Sequence, residues 1–392
     1  MAQRVAIVGG GAVGSSIAYF LASHPRFRGE VVVVERDPSY RYASSALSAS
    51  AIRQQFSTPV NIEISRFGLE FLRRLGDYLA VGDERPDVGL SEPGYLFLAT
   101  PAGVPILEQN HRVQREHQVD VALLTPAGVA ERFPWMNVRD IAAASLGLSG
   151  EGWFDGYALL QAFRRKALAL GVTYVAQAAT GFARTGRRVT AVTLADGSTV
   201  SCDVAVNAAG PWAARVAAML DIDLPVRARR RFVFLFACRT VLPRCPLVID
   251  PSGVWFRADG PNFLTGVPPR KGEPDPDDAP LDEVDERFFS DRIWPVLAAR
   301  VPAFEAVKIL KSWAGYYELN TVDHNGIVGP HPSVENVLFA NGFSGHGLQQ
   351  SPAVGRGIAE WIVDGGYRTL DLSPLAFERL VQGRRLFELN VI

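Results

Sequence analysis

Three glycines near the N-terminus have a spacing that can hold a phosphate group. The stretch RVAIVGGGAVGSSIAYFLA opens with an apolar run, residues 5–8, and continues as Gly9-x-Gly11-x-x-Gly14 into a helical pattern. With this spacing the first glycine permits a tight turn, the second lets a pyrophosphate approach bare backbone, and the third brings helix against strand. The N-terminus of the helix then directs unpaired N–H groups at the phosphates.

An acidic residue follows at the distance that a dinucleotide site requires. A second predicted strand, residues 30–34, ends at Glu35, which is 21 residues after Gly14. A carboxylate there accepts hydrogen bonds from ribose hydroxyls and repels a 2′-phosphate. The pattern therefore predicts an adenine dinucleotide other than NADP, and we expect the neighbouring residues Ala12, Val13 and Arg36 to line the same site.

A loop of small and hydroxylated residues, 42–50 (YASSALSAS), comes next, where a plain nicotinamide dehydrogenase would continue with another strand and helix. Such residues let donors pack close to a second portion of the ligand, and Ser44, Ser45 and Ser48 are the candidates. Arg53 then offers a planar fork of five donors, suited to a carboxylate or to the electron-rich edge of a flavin. Pairing with a structural carboxylate explains Arg53 equally well.

A second glycine-rich segment, NGFSGHGLQQ at 341–350, precedes a helix predicted from about 352 to 363. Two such helix starts, more than 300 residues apart, imply that the C-terminal part folds back onto the N-terminal part. The second helix dipole can stabilise negative charge on another portion of the same ligand, which reduced flavin carries and nicotinamide does not. FAD therefore explains both segments. The candidate contacts are Gly342, Phe343, Gly345, His346, Gly347 and Leu348.

Between the two segments, residues 172–206 alternate with period two, which predicts short strands and a hairpin turn at Asp196-Gly197. The last strand runs into NAAGPW, where Ala209, Gly210 and Trp212 form a second close-approach turn suited to lie over a cofactor. Val175, in the first of these strands, is a further cofactor candidate.

Composition limits the kinds of partner. The chain has 392 residues, enough for about two domains, with 48% apolar and 21% charged residues and a formal net charge of −1. Because no long-range field favours polyanions, we expect neither nucleic acid nor an anionic membrane as a partner, and no transmembrane segment. The three cysteines lack CxxC spacing, which argues against disulfides or zinc, and we expect a cytoplasmic protein without a metal.

Two charged segments lie in the second half of the chain. Residues 227–231 (RARRR) could steer an acidic substrate, but partial pairing on a solvated strand edge is the favoured interpretation, just before an apolar strand at 232–237. Residues 271–285 are rich in Asp and Pro and predict a surface excursion or a lid-like connection, followed by a helix at residues 286–301.

Three separated motifs together resemble those of the D-amino-acid-oxidase-type flavoprotein superfamily. That superfamily includes sarcosine oxidase and dehydrogenase, glycine oxidase and D-amino acid dehydrogenase. The three motifs are VAIVGGGAVGSSIAYFLA with Glu35, VNAAGPW, and NGFSGHGLQQSPAVGRGIAEWI. SSALSASAIRQQFS and GFSGHGLQQSPAVGR are most similar to the branch containing a mitochondrial flavoprotein that supports respiratory complex I assembly. The resemblance implies an α/β fold. A Rossmann-like FAD-binding domain (1–85, 146–215 and 320–392) would interleave with a mixed-sheet α+β substrate domain (86–145 and 216–319).

The resemblance also implies a reaction: hydride transfer to flavin N5 from the C–H bond next to an amine nitrogen, giving an imine that water hydrolyses. The substrate would be an amino acid or secondary amine, sarcosine-like or a D-amino acid, and the electron acceptor oxygen, a quinone or an electron-transfer protein. A 2-hydroxy-acid dehydrogenase on the same fold, and an assembly or scaffold flavoprotein, are the alternatives.

The implied catalytic residues are Arg53, Gln349, Tyr317, Arg257 and His346, and two of these positions depart from sarcosine oxidase. Gln349 stands where that enzyme has a lysine for the substrate carboxylate, so Arg53 or Arg257 compensates or the substrate is not a simple amino acid. Residues 312–318 lack the cysteine that links flavin covalently, so FAD is expected to bind non-covalently. His346 is expected to shape its loop rather than act as a base. Arg257 lies near the place of the lysine that promotes oxygen reduction, which leaves oxidase and dehydrogenase both open.

Overall fold

The computed structural model describes residues 3–270 and 272–389. The strands are β1 (Arg4–Val8), β2 (Glu30–Val34), β3 (Ala51–Ile52), β4 (Tyr95–Ala99), β5 (Val121–Leu124), β6 (Ala143–Gly147), β7 (Gly152–Trp153), β8 (Thr173–Val175), β9 (Ala179–Thr185), β10 (Arg188–Leu194), β11 (Thr199–Ser201), β12 (Val204–Asn207), β13 (Val226–Cys238), β14 (Leu247–Ile249), β15 (Trp255–Asp259), β16 (Asn262–Gly266), β17 (Val307–Asn320), β18 (Ile327–Pro330) and β19 (Val337–Asn341). The helices are α1 (Ala12–Ser23), α2 (Ser44–Leu47), α3 (Pro59–Arg73), α4 (Leu75–Tyr78), α5 (Val104–Glu116), α6 (Pro126–Arg132), α7 (Gly156–Ala169), α8 (Ala213–Ala218), α9 (Trp294–Arg300), α10 (Gly347–Asp364) and α11 (Glu378–Val381).

A six-stranded sheet has the order β18-β19-β12-β1-β2-β8, and all its pairs are parallel except β18 with β19. Its central strands are continuous apolar runs because both faces are covered. Helices α1, α7 and α10 pack on one face, and the small antiparallel sheet β9–β11 contributes apolar side chains to the other. The β1 and β2 expectations are confirmed, and the carboxyl ends of β1, β2 and β12 meet at one edge.

An eight-stranded sheet has the order β17-β13-β16-β15-β14-β4-β6-β5 and is antiparallel except for β14 beside β4. An aromatic core that includes Phe236, Phe256 and Phe304 covers one of its faces. The two sheets make the fold a mixed α/β one, as the resemblance implies. The division of the chain at residues near 85, 145, 215 and 320 stays a prediction.

The structure differs from the sequence-based prediction at residues 227–231, at residues 286–301 and at the start of α10. Residues 227–231 do not precede a strand but form the first half of β13, whose alternate arginines face an acidic loop: Arg231 pairs with Asp275, and Arg229 with Asp277. That loop is the segment predicted from 271 to 285, of which Lys271 lies outside the described residues. Residues 286–301, predicted as one helix, divide into a π-helical turn, Phe289–Ile293, and α9.

The second glycine-rich helix, α10, begins at Gly347, five residues earlier than the predicted start at Pro352. A proline inside a helix leaves the carbonyl one turn earlier without its N–H partner. Here the Ser351 hydroxyl donates to the Leu348 carbonyl at 2.9 Å, so the helix continues through Pro352. Across residues 3–270 and 272–389, no helix has the length and apolar character needed to cross a membrane.

Candidate active site

The glycine turn between β1 and α1 is shaped by contacts that tolerate no side chain at two of its three positions. Gly9 has φ +104°, and a Cβ there would lie 2.3 Å from the Ala208 carbonyl oxygen. A Cβ at Gly14 would lie 1.9 Å from the Gly9 carbonyl oxygen. At Gly11 the nearest atom is the Ser45 hydroxyl oxygen at 3.7 Å, so the space beside its backbone is open. This is the pattern expected when the backbone of the second glycine is left open to a ligand.

Glu35 follows β2 and lies beside that turn. Its carboxylate accepts hydrogen bonds from the Gly10 amide at 2.7 Å and from the Asp37 amide at 2.8 Å. Burial raises the pKa of Glu35, and the backbone hydrogen bonds partly oppose that rise. Next to it, the Arg36 guanidinium lies 3.6 Å from the centroid of the Trp212 ring. The acid is thus fixed in place at the carboxyl edge of the six-stranded sheet.

One long cavity extends from this edge to the eight-stranded sheet. It brings together 19 of the sequence-predicted site residues: Gly9, Gly11, Ala12, Val13, Glu35, Arg36, Ser44, Ser45, Ser48, Arg53, Ala209, Gly210, Trp212, Tyr317, Gly345, His346, Gly347, Leu348 and Gln349. Two helix N-termini, those of α1 and α10, open onto the same space.

Five predicted residues lie outside the cavity wall: Gly14, Val175, Gly342, Phe343 and Arg257. Gly14 serves the helix–strand contact that was expected of it. The Val175 carbonyl accepts from the Glu35 amide at 3.0 Å, while residues 177–179 line the cavity in its place. Gly342 and Phe343 turn their backbone amides onto the Glu318 carboxylate instead of the cavity.

Arg257 anchors a cavity loop from behind. Its guanidinium donates to the Ala49 carbonyl at 2.9 and 3.2 Å, and pairs with Asp259 at 3.0 Å. Its charge is therefore engaged by the loop that carries Ser48 and by its own strand. Arg257 is placed to position that loop rather than to contact a ligand.

At the far end of the cavity, Arg53, His346 and Gln349 meet. The Gln349 side-chain oxygen accepts from the Arg53 backbone amide at 2.7 Å, which fixes the segment after β3 against α10. The Arg53 guanidinium is 3.0 Å from His346 Nε2, donates to the Gln55 carbonyl, and lies 4.0 Å from the centroid of the Phe56 ring. Burial lowers the pKa of Arg53, although a guanidinium remains charged at neutral pH.

His346 is held neutral. Burial and the adjacent Arg53 charge lower its pKa to about 3, with a hydrogen bond to the Phe343 backbone partly opposing them. Because a guanidinium only donates, Nε2 of His346 accepts, and its other ring nitrogen carries the proton. His346 therefore orients Arg53 and the glycine-rich loop, in keeping with the expected shaping role.

Three residues outside the predicted catalytic and cofactor-binding sets complete this end. Tyr95, the first residue of β4, lines the cavity, and burial raises the pKa of its hydroxyl, as it does for Tyr317. A phenol on an otherwise apolar strand was the available signal for Tyr95. Glu318 and Arg231 also line the cavity, and their burial depends on strand pairing that no local pattern reveals. Apolar walls come from Leu247, Ile249, Trp255, Phe232 and Val233.

These features define a dinucleotide-binding redox protein of the mixed α/β class. The bare backbone at Gly11, the acid at Glu35 and the two helix N-termini suit the ribose and phosphate groups of FAD. Among the residues described, no cluster of three or more His, Cys, Asp or Glu could hold a metal ion.

The chain belongs to the FAD dependent oxidoreductase family DAO, whose model matches residues 4–361. It is an oxidoreductase, and its cofactor is FAD, bound non-covalently. It is 45% identical to the FAD-dependent oxidoreductase domain-containing protein 1 of Xenopus laevis, over 99% of this chain and 84% of the relative. It is 27% identical to human mitochondrial dimethylglycine dehydrogenase, over 94% of this chain but 43% of the relative.

Two solved structures share the fold. The L-proline dehydrogenase from P. horikoshii superposes with a TM-score of 0.85 at 25% identity, covering 98% of this chain and 99% of that one. The glycine oxidase from Geobacillus kaustophilus superposes with a TM-score of 0.81 at 22% identity, covering 95% and 98%.

Proposed function

We propose that the protein oxidises the C–N bond of a small amino acid or secondary amine that carries a carboxylate. Support comes from the buried Arg53 guanidinium, which lines the cavity and lies over the Phe56 and Phe97 rings. Opposite charges attract strongly where water is excluded, so this end favours a carboxylate. The same positive charge disfavours an ammonium group, so the amine binds in its neutral, reactive form.

The protonation states favour an amine over a 2-hydroxy acid. Oxidation of an alcohol needs a base for the O–H proton, whereas a neutral amine has a lone pair available. His346, with a pKa near 3 and its Nε2 facing Arg53, is a poor base. Burial raises the pKa of both Tyr95 and Tyr317, so these phenols stay protonated and donate hydrogen bonds. None of these three side chains is set up to remove a hydroxyl proton, and Glu318, which also lines the cavity, is mostly protonated at neutral pH because burial raises its pKa to about 8.

FAD, when bound, supplies the acceptor for the hydride of the substrate C–H bond. The chain supplies the rest. Arg53 holds the carboxylate, Tyr95 and Tyr317 offer O–H donors, and Gln349 fixes the Arg53 backbone. Apolar walls exclude water from the reacting carbon. The released imine is hydrolysed by water.

Anaerobic addition of substrates tests the proposal directly. A panel of N-methyl amino acids, D-amino acids and cyclic secondary amino acids should bleach the flavin absorbance with at least one member. The matched compounds are the decarboxylated amines, which should fail, and the corresponding 2-hydroxy acids, which should react more slowly or not at all. Bleaching by hydroxy acids alone would replace the amine proposal with the hydroxy-acid one.

An assembly or scaffold role is the remaining alternative, in which FAD is structural. An Arg53→Ala variant that retains FAD and loses both turnover and the cellular phenotype would exclude it. A variant that loses turnover and keeps the phenotype would support it. The electron acceptor is identified by comparing the rates at which the reduced FAD is reoxidised in air, by a quinone and by an electron-transfer flavoprotein.

We also propose the two interleaved domains with the boundaries given above, and a reducing compartment such as the cytoplasm. The six-stranded sheet draws its strands from three separate parts of the chain, which supports the interleaving. Cys202, Cys238 and Cys245 are free thiols, which suits reducing conditions.

A further inference from the structure

A carboxyl group lies in the cofactor cavity without an assigned role. Glu318, near the end of β17, lines the cavity together with Gly345, His346 and Gly347. One of its oxygens accepts from the Gly342 amide at 3.1 Å. The other is 3.0 Å from the position a Cβ would take at Gly347, the first residue of α10. The group is thus held under the glycine-rich loop and at the start of an 18-residue helix.

The surroundings of Glu318 supply no counter-charge in direct contact. On β13, Ala228 stands opposite, flanked by Arg227 and Arg229, which are both paired with Asp277. Within residues 3–270 and 272–389, Glu318 forms no ion pair. The charged or titratable groups from the other neighbouring elements are Arg231 on β13, Arg53 after β3, Tyr317 beside it on β17, His346 in the loop, and Asp323 and His324 in the turn after β17.

Burial raises the pKa of Glu318 to about 8, and the hydrogen bonds from Gly342 and Phe343 only partly oppose it. Desolvation penalises the charged form, and two backbone donors do not offset it. At neutral pH the protonated acid therefore predominates.

We propose that Glu318 is a redox-linked proton acceptor for the FAD site: its side chain is uncharged at neutral pH, and at alkaline pH, where it is ionised beside the oxidised cofactor, it takes up a proton when electrons enter. A carboxylate and an electron-rich cofactor in one buried cavity repel each other, so reduction raises the proton affinity of Glu318. The two electrons come from the substrate C–H bond. The proton comes from solvent and returns there on reoxidation. The proposal rests on FAD binding and not on the amine substrate.

The measurement is the midpoint potential of the bound FAD as a function of pH, obtained by dye-mediated reductive titration without substrate. In the wild-type protein the dependence should steepen above about pH 8, from one proton to two protons per pair of electrons. Glu318→Gln mimics the protonated acid and should follow a single slope through the same range. Glu151→Gln is the matched control, since Glu151 is also buried with a pKa raised to about 7 but lies outside the cavity wall.

The expected result is a break that persists in Glu151→Gln and disappears in Glu318→Gln. Parallel curves for the wild type and Glu318→Gln would overturn the proposal, since they would mean that Glu318 does not titrate with reduction. If Glu318→Gln does not retain FAD, the wild-type curve decides alone: a constant slope from about pH 7 to about pH 9.5 refutes it. Because the cofactor is reduced without substrate, failure here leaves the amine proposal standing.

Discussion

Replacing Gly11 by alanine should separate cofactor binding from folding. In the protein, the added methyl group meets only the Ser45 hydroxyl at 3.7 Å, and Gly11 has an ordinary φ of −63°. The loss in free energy of unfolding should stay below about 1 kcal/mol, the scale of an unfavourable N-cap residue. A pyrophosphate lying against that backbone would meet the methyl group. Overpacking of that kind costs about 1–3 kcal/mol, so FAD should bind about 5- to 150-fold more weakly.

Gly14→Ala is the matched comparison. There the methyl group would lie 1.9 Å from the Gly9 carbonyl oxygen, so α1 must move away from β1 whether or not FAD is present. Its apoprotein should lose about 1–3 kcal/mol of stability in urea unfolding. Affinity is read from quenching of flavin fluorescence on adding each apoprotein. Wild-type affinity in Gly11→Ala would refute the placement of the phosphates, and equal destabilisation of both apoproteins would refute the open space at Gly11.

Three further outcomes concern charged side chains. Arg53→Lys, which lacks the planar fork, should retain FAD and raise KM for a carboxylated substrate about tenfold; an unchanged KM in steady-state kinetics would remove Arg53 from carboxylate binding. Asp323→Ala leaves the buried Arg379 guanidinium without the carboxylate that it meets at 2.9 and 3.0 Å, and should cost about 3–5 kcal/mol in urea unfolding; a loss below about 1 kcal/mol would contradict the burial. Asp275→Asn weakens a part-exposed pair with Arg231 and should cost about 0.2–1 kcal/mol, less in high salt; a larger loss would show that the acidic loop is a core element.

The first half of the candidate site could be predicted because its signals are local. The strand, glycine turn and helix at residues 4–22 and the acid at Glu35 are consecutive features, and each needs only its neighbours in sequence to adopt its shape. The start of α10 was placed five residues late for a local reason as well. Proline is a strong helix-breaking signal, and the Ser351 hydroxyl that compensates for it is visible only in the structure.

At the other end of the cavity, sequence selected residue types and the structure decided their roles. By residue type alone, Arg257 and Arg53 are equally suitable as ligands for a substrate carboxylate. Strand pairing turns Arg257 onto the Ala49 carbonyl, whereas α10 and β3 bring Arg53 into the cavity. The distinction depends on contacts between residues 208 and 296 positions apart, which no local pattern encodes.

The sequence alone therefore determined that the chain binds a dinucleotide and that two helix N-termini serve it, because spacing and periodicity are properties of short segments. The α/β fold was implied by the resemblance of its motifs to a flavoprotein superfamily. Only the tertiary structure decided the protonation states at the reactive end. The low pKa of His346 and the raised pKa of Glu318 arise from burial and from neighbours on other elements. Desolvation is a property of the assembled cavity, and it has no counterpart in the unfolded chain.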